Sequence, residues 1–204
     1  MIKTIFPTRI LIKDYDKSLE WSENLESLVK TIFKSVQIEQ QDYYLTGNNS
    51  VNLFKKENLI QFPELVELRE MFVDCFYELA SSYDSNELTR ECVDDRVDEY
   101  SGKLPFMKYG DLKSLHNHNQ SVDAFGIFYL TDVNNDTEGG SLILHDPSFS
   151  GLFNFQEERT FSVNTKRNRM VICPNHVWHE VSRYTGHEER ITITVDLCPH
   201  KVIL

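Results

Sequence analysis

The chain is poor in the features that would place it outside ordinary globular proteins. Its 204 residues include four cysteines, Cys75, Cys92, Cys173 and Cys198, scattered and without a Cys-x-x-Cys pair. Neither a disulfide framework nor a thiolate metal finger is therefore expected. No apolar run reaches the roughly 18 residues that a membrane-crossing helix needs. The opening segment MIKTIFPTRI lacks an apolar core followed by small residues, so no secretory leader is expected and a reducing, cytoplasmic location is. Basic charge is also thin. Twenty-one Lys and Arg stand against 32 Asp and Glu, a formal charge of −11, with no basic cluster denser than Lys166, Arg167 and Arg169. Phosphate-backbone attraction has little to work with, which argues against duplex nucleic acid as a partner. Repeats and low-complexity segments are absent, and 40% hydrophobic content in a chain of this length suffices for a sizeable core.

What is present changes character along the chain. Residues 5–13, FPTRILIKD, alternate Ile10 and Ile12 with polar neighbours, a strand pattern. From Asp16 to about Val36 the spacing turns helical, with Leu19, Trp21, Leu25, Leu28, Val29, Ile32 and Phe33 on one face and Asp16 as a candidate cap. A second helix is predicted from about Pro63 to Tyr83, carrying Leu65, Leu68, Phe72, Phe76 and Leu79. Past residue 104, short β-rich runs (FGIFYL, SLILH, TFSV, RMVIC and RITITVDL) are separated by turn residues. The expectation is a mainly β fold with flanking helices, a sandwich or barrel in residues 104–204 with the first 90 residues as a helical annex, all one domain.

Candidate chemistry gathers in this second half. His116-Asn117-His118 sits just upstream of the run Phe125 to Leu130; in an extended chain both imidazoles face one way, as a small metal site needs, although a solvated polar loop is the more ordinary account of the motif taken by itself. In the segment from Pro174 to Val181, alternation puts Val177, His179 and Val181 on one face and His176, Trp178 and Glu180 on the other. A His179 among inward apolar neighbours needs partners for its ring nitrogens, from a metal or from the core. The strand Arg190 to Leu197 alternates strictly, with Arg190, Thr192, Thr194 and Asp196 sharing a face. Such a face is ordinarily wet, but inside a small barrel an inward Arg with a hydroxyl two residues on is a receptor for a carboxylate. Gly139-Gly140 reads as a hairpin turn, since no Lys-Ser/Thr follows for a phosphate loop. Arg167 and Arg169 read as flanks of a turn, and His176, His187 and His200 as surface residues.

In order, these pieces resemble the 2-oxoglutarate and Fe(II)-dependent dioxygenases, and among them the small phage-type and bacterial members related to prolyl hydroxylases. The resemblance covers residues 104–197: His116-Asn117-His118, then Phe128-Tyr129-Leu130-Thr131-Asp132-Val133, Glu138-Gly139-Gly140-Ser141-Leu142, His179-Glu180-Val181 and Arg190-Ile191-Thr192. It implies a double-stranded β-helix (jelly roll) holding iron through two histidines and a carboxylate, with 2-oxoglutarate and O2 as co-substrates and succinate as product. By the same resemblance His179 is the distal ligand, Arg190 the clamp for the far carboxylate of 2-oxoglutarate, Thr192 its hydroxyl helper and Tyr109 a second donor. No catalytic side chain beyond the metal centre is implied.

The sequence departs from this pattern at one point: the carboxylate expected two residues after the first histidine is replaced by His118. Three readings follow. The ligands are His116, His118 and His179; or one of the pair acts with Asp123; or iron binding is lost. The first two retain iron, and a neutral three-histidine shell predicts weaker Fe(II) binding. The expected activity is hydroxylation of a peptide or protein side chain or a small molecule. The alternative is a non-enzymatic jelly-roll module for binding or assembly, and a cupin-type three-histidine dioxygenase would leave Arg190 and Thr192 unexplained. Substrate contacts are expected at residues 149–160 and 91–100.

Overall fold

Alternation in the second half of the chain resolves into two facing antiparallel sheets. The computed structural model describes residues 8–39, 53–83, 89–97, 102–103, 106–118, 122–146 and 159–198. The strands are β1 (Leu11–Asp14), β2 (Gly102–Lys103), β3 (Phe106–Met107), β4 (Lys113–His116), β5 (Ala124–Tyr129), β6 (Leu142–His145), β7 (Thr160–Val163), β8 (Arg169–Pro174), β9 (Trp178–Val181) and β10 (Arg190–Leu197). The helices are α1 (Leu19–Glu39), α2 (Lys56–Gln61), α3 (Pro63–Ser81), α4 (Arg90–Asp94) and α5 (Asn135–Glu138). One sheet runs β1-β8-β5-β10-β2 with β3 also on β10, and the other β4-β9-β6-β7. This is the jelly-roll arrangement with a helical layer that the strand pattern predicts.

The larger sheet is buried on both faces, so its strands read differently from half-wet ones. On β10, Ile191, Ile193, Val195 and Leu197 join α1 and α3 in one apolar cluster with Phe128, Met170 and Ile172. The opposite faces of β5 and β8, Phe125, Ile127, Tyr129, Val171 and Cys173, pack with Leu142, Leu144 and Val163 of the smaller sheet. The polar face of β10 therefore points into the space between the sheets, where Arg190, Thr192 and Asp196 are all buried.

Helix α3 matches its predicted apolar face, with Leu65, Leu68, Phe72, Phe76 and Leu79 buried and Pro63 in its first turn. Each such side chain contributes about 1.5–3 kcal/mol by leaving water. Helix α1 differs from expectation at its start: the Ser18 hydroxyl, not Asp16, accepts the Trp21 N–H at 3.1 Å, and Leu19 is exposed. Ser18 sits immediately before the first helical residue, from where a short side chain reaches the free N–H groups. Its helix then buries Leu25 and Val29 and sets Trp21 edge-on against Phe128 at 6.2 Å.

Arg167 and Arg169 flank a turn as predicted, with Asn168 at φ 62°, and ion pairs make that turn a tie-point. Arg169 and Lys166 both bind Asp14 of β1 at 2.7 Å, and Arg167 reaches Glu26 of α1 at 3.2 Å. Segment 91–100 is, over its described part, built on helix α4 docked against α3. Helix α4 is capped by Thr89, and Arg69 clamps it by donating to the Asp94 and Val97 carbonyls at 2.8 and 2.9 Å. Most of segment 149–160 lies outside the described residues. No described helix is long and apolar enough to cross a membrane.

Candidate active site

Strand β9 delivers the first element of the site. Its alternation turns His179 inward, 4% exposed, between Val177 and Val181, while Trp178 faces out. Across the sheet His179 lies opposite Leu144 of β6 on one side and His116 of β4 on the other. His118 follows just past the end of β4, where its backbone N–H donates to the Asn175 carbonyl at 3.1 Å. The Asn175 side chain donates in turn to the Val122 carbonyl at 2.8 Å, so the loop carrying His118 is pinned to the turn that precedes β9.

The three imidazoles converge. Ring centroids are 4.2 Å apart for His116 and His179, 5.3 Å for His118 and His179 and 5.7 Å for His116 and His118. One potential ligand atom from each lies within 4.8 Å of the others, a group that can hold a metal ion. Phe125 backs them, its ring 4.5 Å from His118 and 4.3 Å from His179.

Hydrogen bonds define which nitrogen each ring offers. Nδ1 of His116 lies 2.7 Å from the Ser114 carbonyl, Nδ1 of His179 lies 3.1 Å from the Val177 carbonyl, and Nδ1 of His118 lies 3.1 Å from Asp196 Oδ1. All three partners are acceptors, so Nδ1 donates and Nε2 keeps its lone pair. Burial pushes the His179 pKa down to about 3 and lowers that of His116. Neutral rings with oriented lone pairs are what a divalent transition metal requires, and the donor set fits one.

Further along the same inward face of β10 lies Arg190, 2% exposed. Its Nε donates to Thr165 Oγ1 at 3.2 Å, its Nη1 approaches Met107 Sδ at 3.2 Å, and its guanidinium lies 5.3 Å from the Tyr129 ring centroid. Burial lowers its pKa, and among the described residues no carboxylate pairs with it. Thr192 is buried two residues on and stands opposite Tyr129 in the β10–β5 register. The Tyr129 hydroxyl is buried and makes no hydrogen bond of good geometry among the described residues, the Arg190 guanidinium being its polar neighbour. A buried cation beside an unsatisfied hydroxyl is a receptor for an anionic group such as a carboxylate.

Gly140 makes room for that cation. Its φ is 73°, and a Cβ there would come within 3.0 Å of Arg190 Cδ and 3.2 Å of the Tyr184 ring. Thr165 Oγ1 donates to the Gly140 carbonyl at 3.1 Å. The Gly-Gly pair is thus not the predicted hairpin turn: it follows α5, and Gly139 bridges to Tyr184.

The structure brings His116, His118 and His179 together, and Arg190 with Thr192. Tyr109 is elsewhere, 70% exposed and stacked on His187 with centroids 6.5 Å apart. Asp123 is also outside the group, its carboxylate paired with Arg96. Tyr129, not among the site residues read from the sequence, is placed on the inward face by the alternation Phe125, Ile127, Tyr129.

Residues 101–195 match the model of the 2OG-Fe(II) oxygenase superfamily. No curated protein sequence matches the chain significantly. Among solved structures, a Pseudomonas putida prolyl-4-hydroxylase aligns over 95% of this chain and 87% of its own at 12% identity and TM-score 0.55. A Trichoplax adhaerens prolyl hydroxylase, in complex with a hypoxia inducible factor oxygen degradation domain peptide fragment, covers 94% of this chain and 84% of its own at 13% identity and TM-score 0.56. HygX from Streptomyces hygroscopicus, with nickel and 2-oxoglutarate bound, covers 95% and 84% at 11% identity and TM-score 0.55. At these identities the likeness is one of fold.

Proposed function

We propose that the chain, whose residues 101–195 match the model of the 2OG-Fe(II) oxygenase superfamily, is such an oxygenase and hydroxylates a peptide or protein side chain. The balanced reaction is R–H + 2-oxoglutarate + O2 → R–OH + succinate + CO2. Iron, when bound, supplies the oxygen activation that no side chain can provide. His116, His118 and His179 are the residues that would hold it.

The observation that carries this reading is Arg190. It is buried in the barrel interior without a carboxylate partner among the described residues, on the strand whose inward Asp196 reaches His118 of the three-histidine group. An unpaired buried cation is costly, by several kcal/mol even after relaxation, unless a ligand neutralises it. In this assignment its guanidinium receives the far carboxylate of 2-oxoglutarate, with Tyr129 and Thr192 as hydroxyl partners. A barrel retained only as a binding or assembly module would leave both the cation and the three facing imidazoles without a counterpart.

A peptide substrate is supported by the prolyl hydroxylases among the structural neighbours, one of which holds a peptide; a small molecule is the other class. The test supplies Fe(II), 2-oxoglutarate and O2 with a panel of proline-containing peptides and follows succinate together with the mass of each peptide. Peptide-dependent succinate with the gain of one oxygen atom is the expected result. Succinate release stimulated by small molecules alone would overturn the peptide assignment.

A further inference from the structure

The sequence replaces the expected metal-binding carboxylate with His118, yet a carboxylate stands directly behind that histidine. We propose that Asp196 is the carboxylate of this metal centre, acting at one remove as a positioning residue through His118. The inference rests on the reading of His116, His118 and His179 as metal ligands.

Three features carry it. The Asp196 Oδ1 lies 3.1 Å from His118 Nδ1, so the carboxylate fixes the ring as the Nδ1–H tautomer and aims Nε2 away from itself. The pair is enclosed: Asp196 is 8% exposed, and its β5 partner in the register, Phe125, stacks on His118 with ring planes only 8° apart. The ring is therefore held from its edge by a charge and on its face by an aromatic wall. Finally, His116 and His179 are tied at Nδ1 by backbone carbonyls, at Ser114 and Val177. Among the described residues, His118 is the one of the three imidazoles with a side-chain carboxylate at that nitrogen.

The chemistry follows from charge. Three neutral imidazoles leave a divalent cation with its full charge, whereas two imidazoles and a carboxylate cancel one unit of it. Asp196 restores that unit one residue further out. A cation on Nε2 withdraws electrons from the ring and makes Nδ1–H a stronger donor; the carboxylate accepting that bond raises the basicity of Nε2 in return. The buried carboxylate in turn gains a partner that becomes more positive when metal binds, which offsets its loss of hydration. His118 and Asp196 thus act together as an extended anionic ligand, and the departure from the family pattern is a relocation of the carboxylate.

The experiment uses Co(II) alone as probe, titrated into metal-free full-length protein in competition with a chromophoric chelator, with thermal melting of each metal-free variant beside it. Asp196→Asn keeps an acceptor oxygen and removes the charge, and is expected to weaken Co(II) binding about tenfold; Asp196→Ala removes both and is expected to approach a hundredfold, the range for partners of metal-bound histidines. His118→Asp alone sets two carboxylates against each other and is expected to bind poorly, whereas His118→Asp with Asp196→Asn is expected to recover most of the native affinity. Should Asp196→Ala fail to fold, the near-isosteric Asn variant and the double variant carry the test. Co(II) affinities of both single Asp196 variants within about twofold of a tightly binding native protein would overturn this inference and leave the functional reading standing. A native protein that binds no Co(II) would overturn both.

Discussion

His116 and His179 stand directly opposite each other across the β4–β9 pair, with ring centroids 4.2 Å apart. Cross-strand neighbours on one face of a sheet are its closest side-chain pairs, so two imidazoles distant in sequence are brought side by side before any metal binds. The backbone carbonyls of Ser114 and Val177 orient both rings, and His118 closes the group.

His179→Ala should reduce Co(II) or Fe(II) affinity by more than about a hundredfold, because one of few ligands is lost from a site whose whole binding energy comes from them. In the native protein, metal at a hundred times its Kd should add about 2.7 kcal/mol of stability. Thermal melting with and without metal checks both statements: the native protein should shift upward, and the variant should not.

Removing the anion receptor should spare the metal. Arg190→Lys keeps a charge but loses the planar fork, and should weaken 2-oxoglutarate binding at least tenfold while Co(II) affinity stays within about twofold. Tyr129→Phe separates binding from folding. Its hydroxyl makes no hydrogen bond of good geometry among the described residues, so its removal should change the stability of the metal-free protein little, and should weaken 2-oxoglutarate by about tenfold, the equivalent of one hydrogen bond. Calorimetric titration of 2-oxoglutarate into Co(II)-loaded protein reads both.

Burial of His179 gives the metal-free protein a pH dependence of definite sign. The folded pKa is about 3 and the unfolded ring titrates near 6.5. Between those values the unfolded chain binds the extra proton, so stability rises with pH and is lost as pH falls from about 6.5 towards 3. The contribution is at most about 1.4 kcal/mol per pH unit from this one ring. Urea unfolding of metal-free protein at pH 7, 6 and 5 should show that slope, and a His179→Gln variant should be flatter by up to the same amount.

Gly140→Ala should act on Arg190 through space. The positive φ costs a side chain about 1–2 kcal/mol, and the new Cβ would press on Arg190 Cδ, 3.0 Å away. Reduced unfolding free energy together with weaker 2-oxoglutarate binding is expected. Lower stability with unchanged 2-oxoglutarate affinity would separate Gly140 from the anion receptor.

Much of this site is legible in the sequence because strand periodicity is local. The inward setting of His179 follows from Val177-Trp178-His179-Glu180-Val181, and the shared face of Arg190, Thr192 and Asp196 from strict alternation in β10. Partners brought in by sheet closure are not legible that way. Nothing within a few residues of His118 announces Asp196, and the placement of Tyr129 beside Thr192 is set by the β5–β10 register. Short helices such as α4 escape for a different reason: five residues carry too little periodicity, and Arg69 docks the helix by contacts that span more than twenty positions. The role of Gly140 is equally non-local, since the side chain it accommodates is Arg190.

The most direct test is anaerobic addition of Fe(II) and then 2-oxoglutarate to metal-free protein, watching for the weak visible charge-transfer band of a keto acid chelated to Fe(II). The band should appear on the second addition, saturate with one 2-oxoglutarate per chain, and be lost in Arg190→Lys at the same concentrations. Iron binding without the band would contradict the co-substrate site. A protein that binds no iron would contradict the metal centre itself.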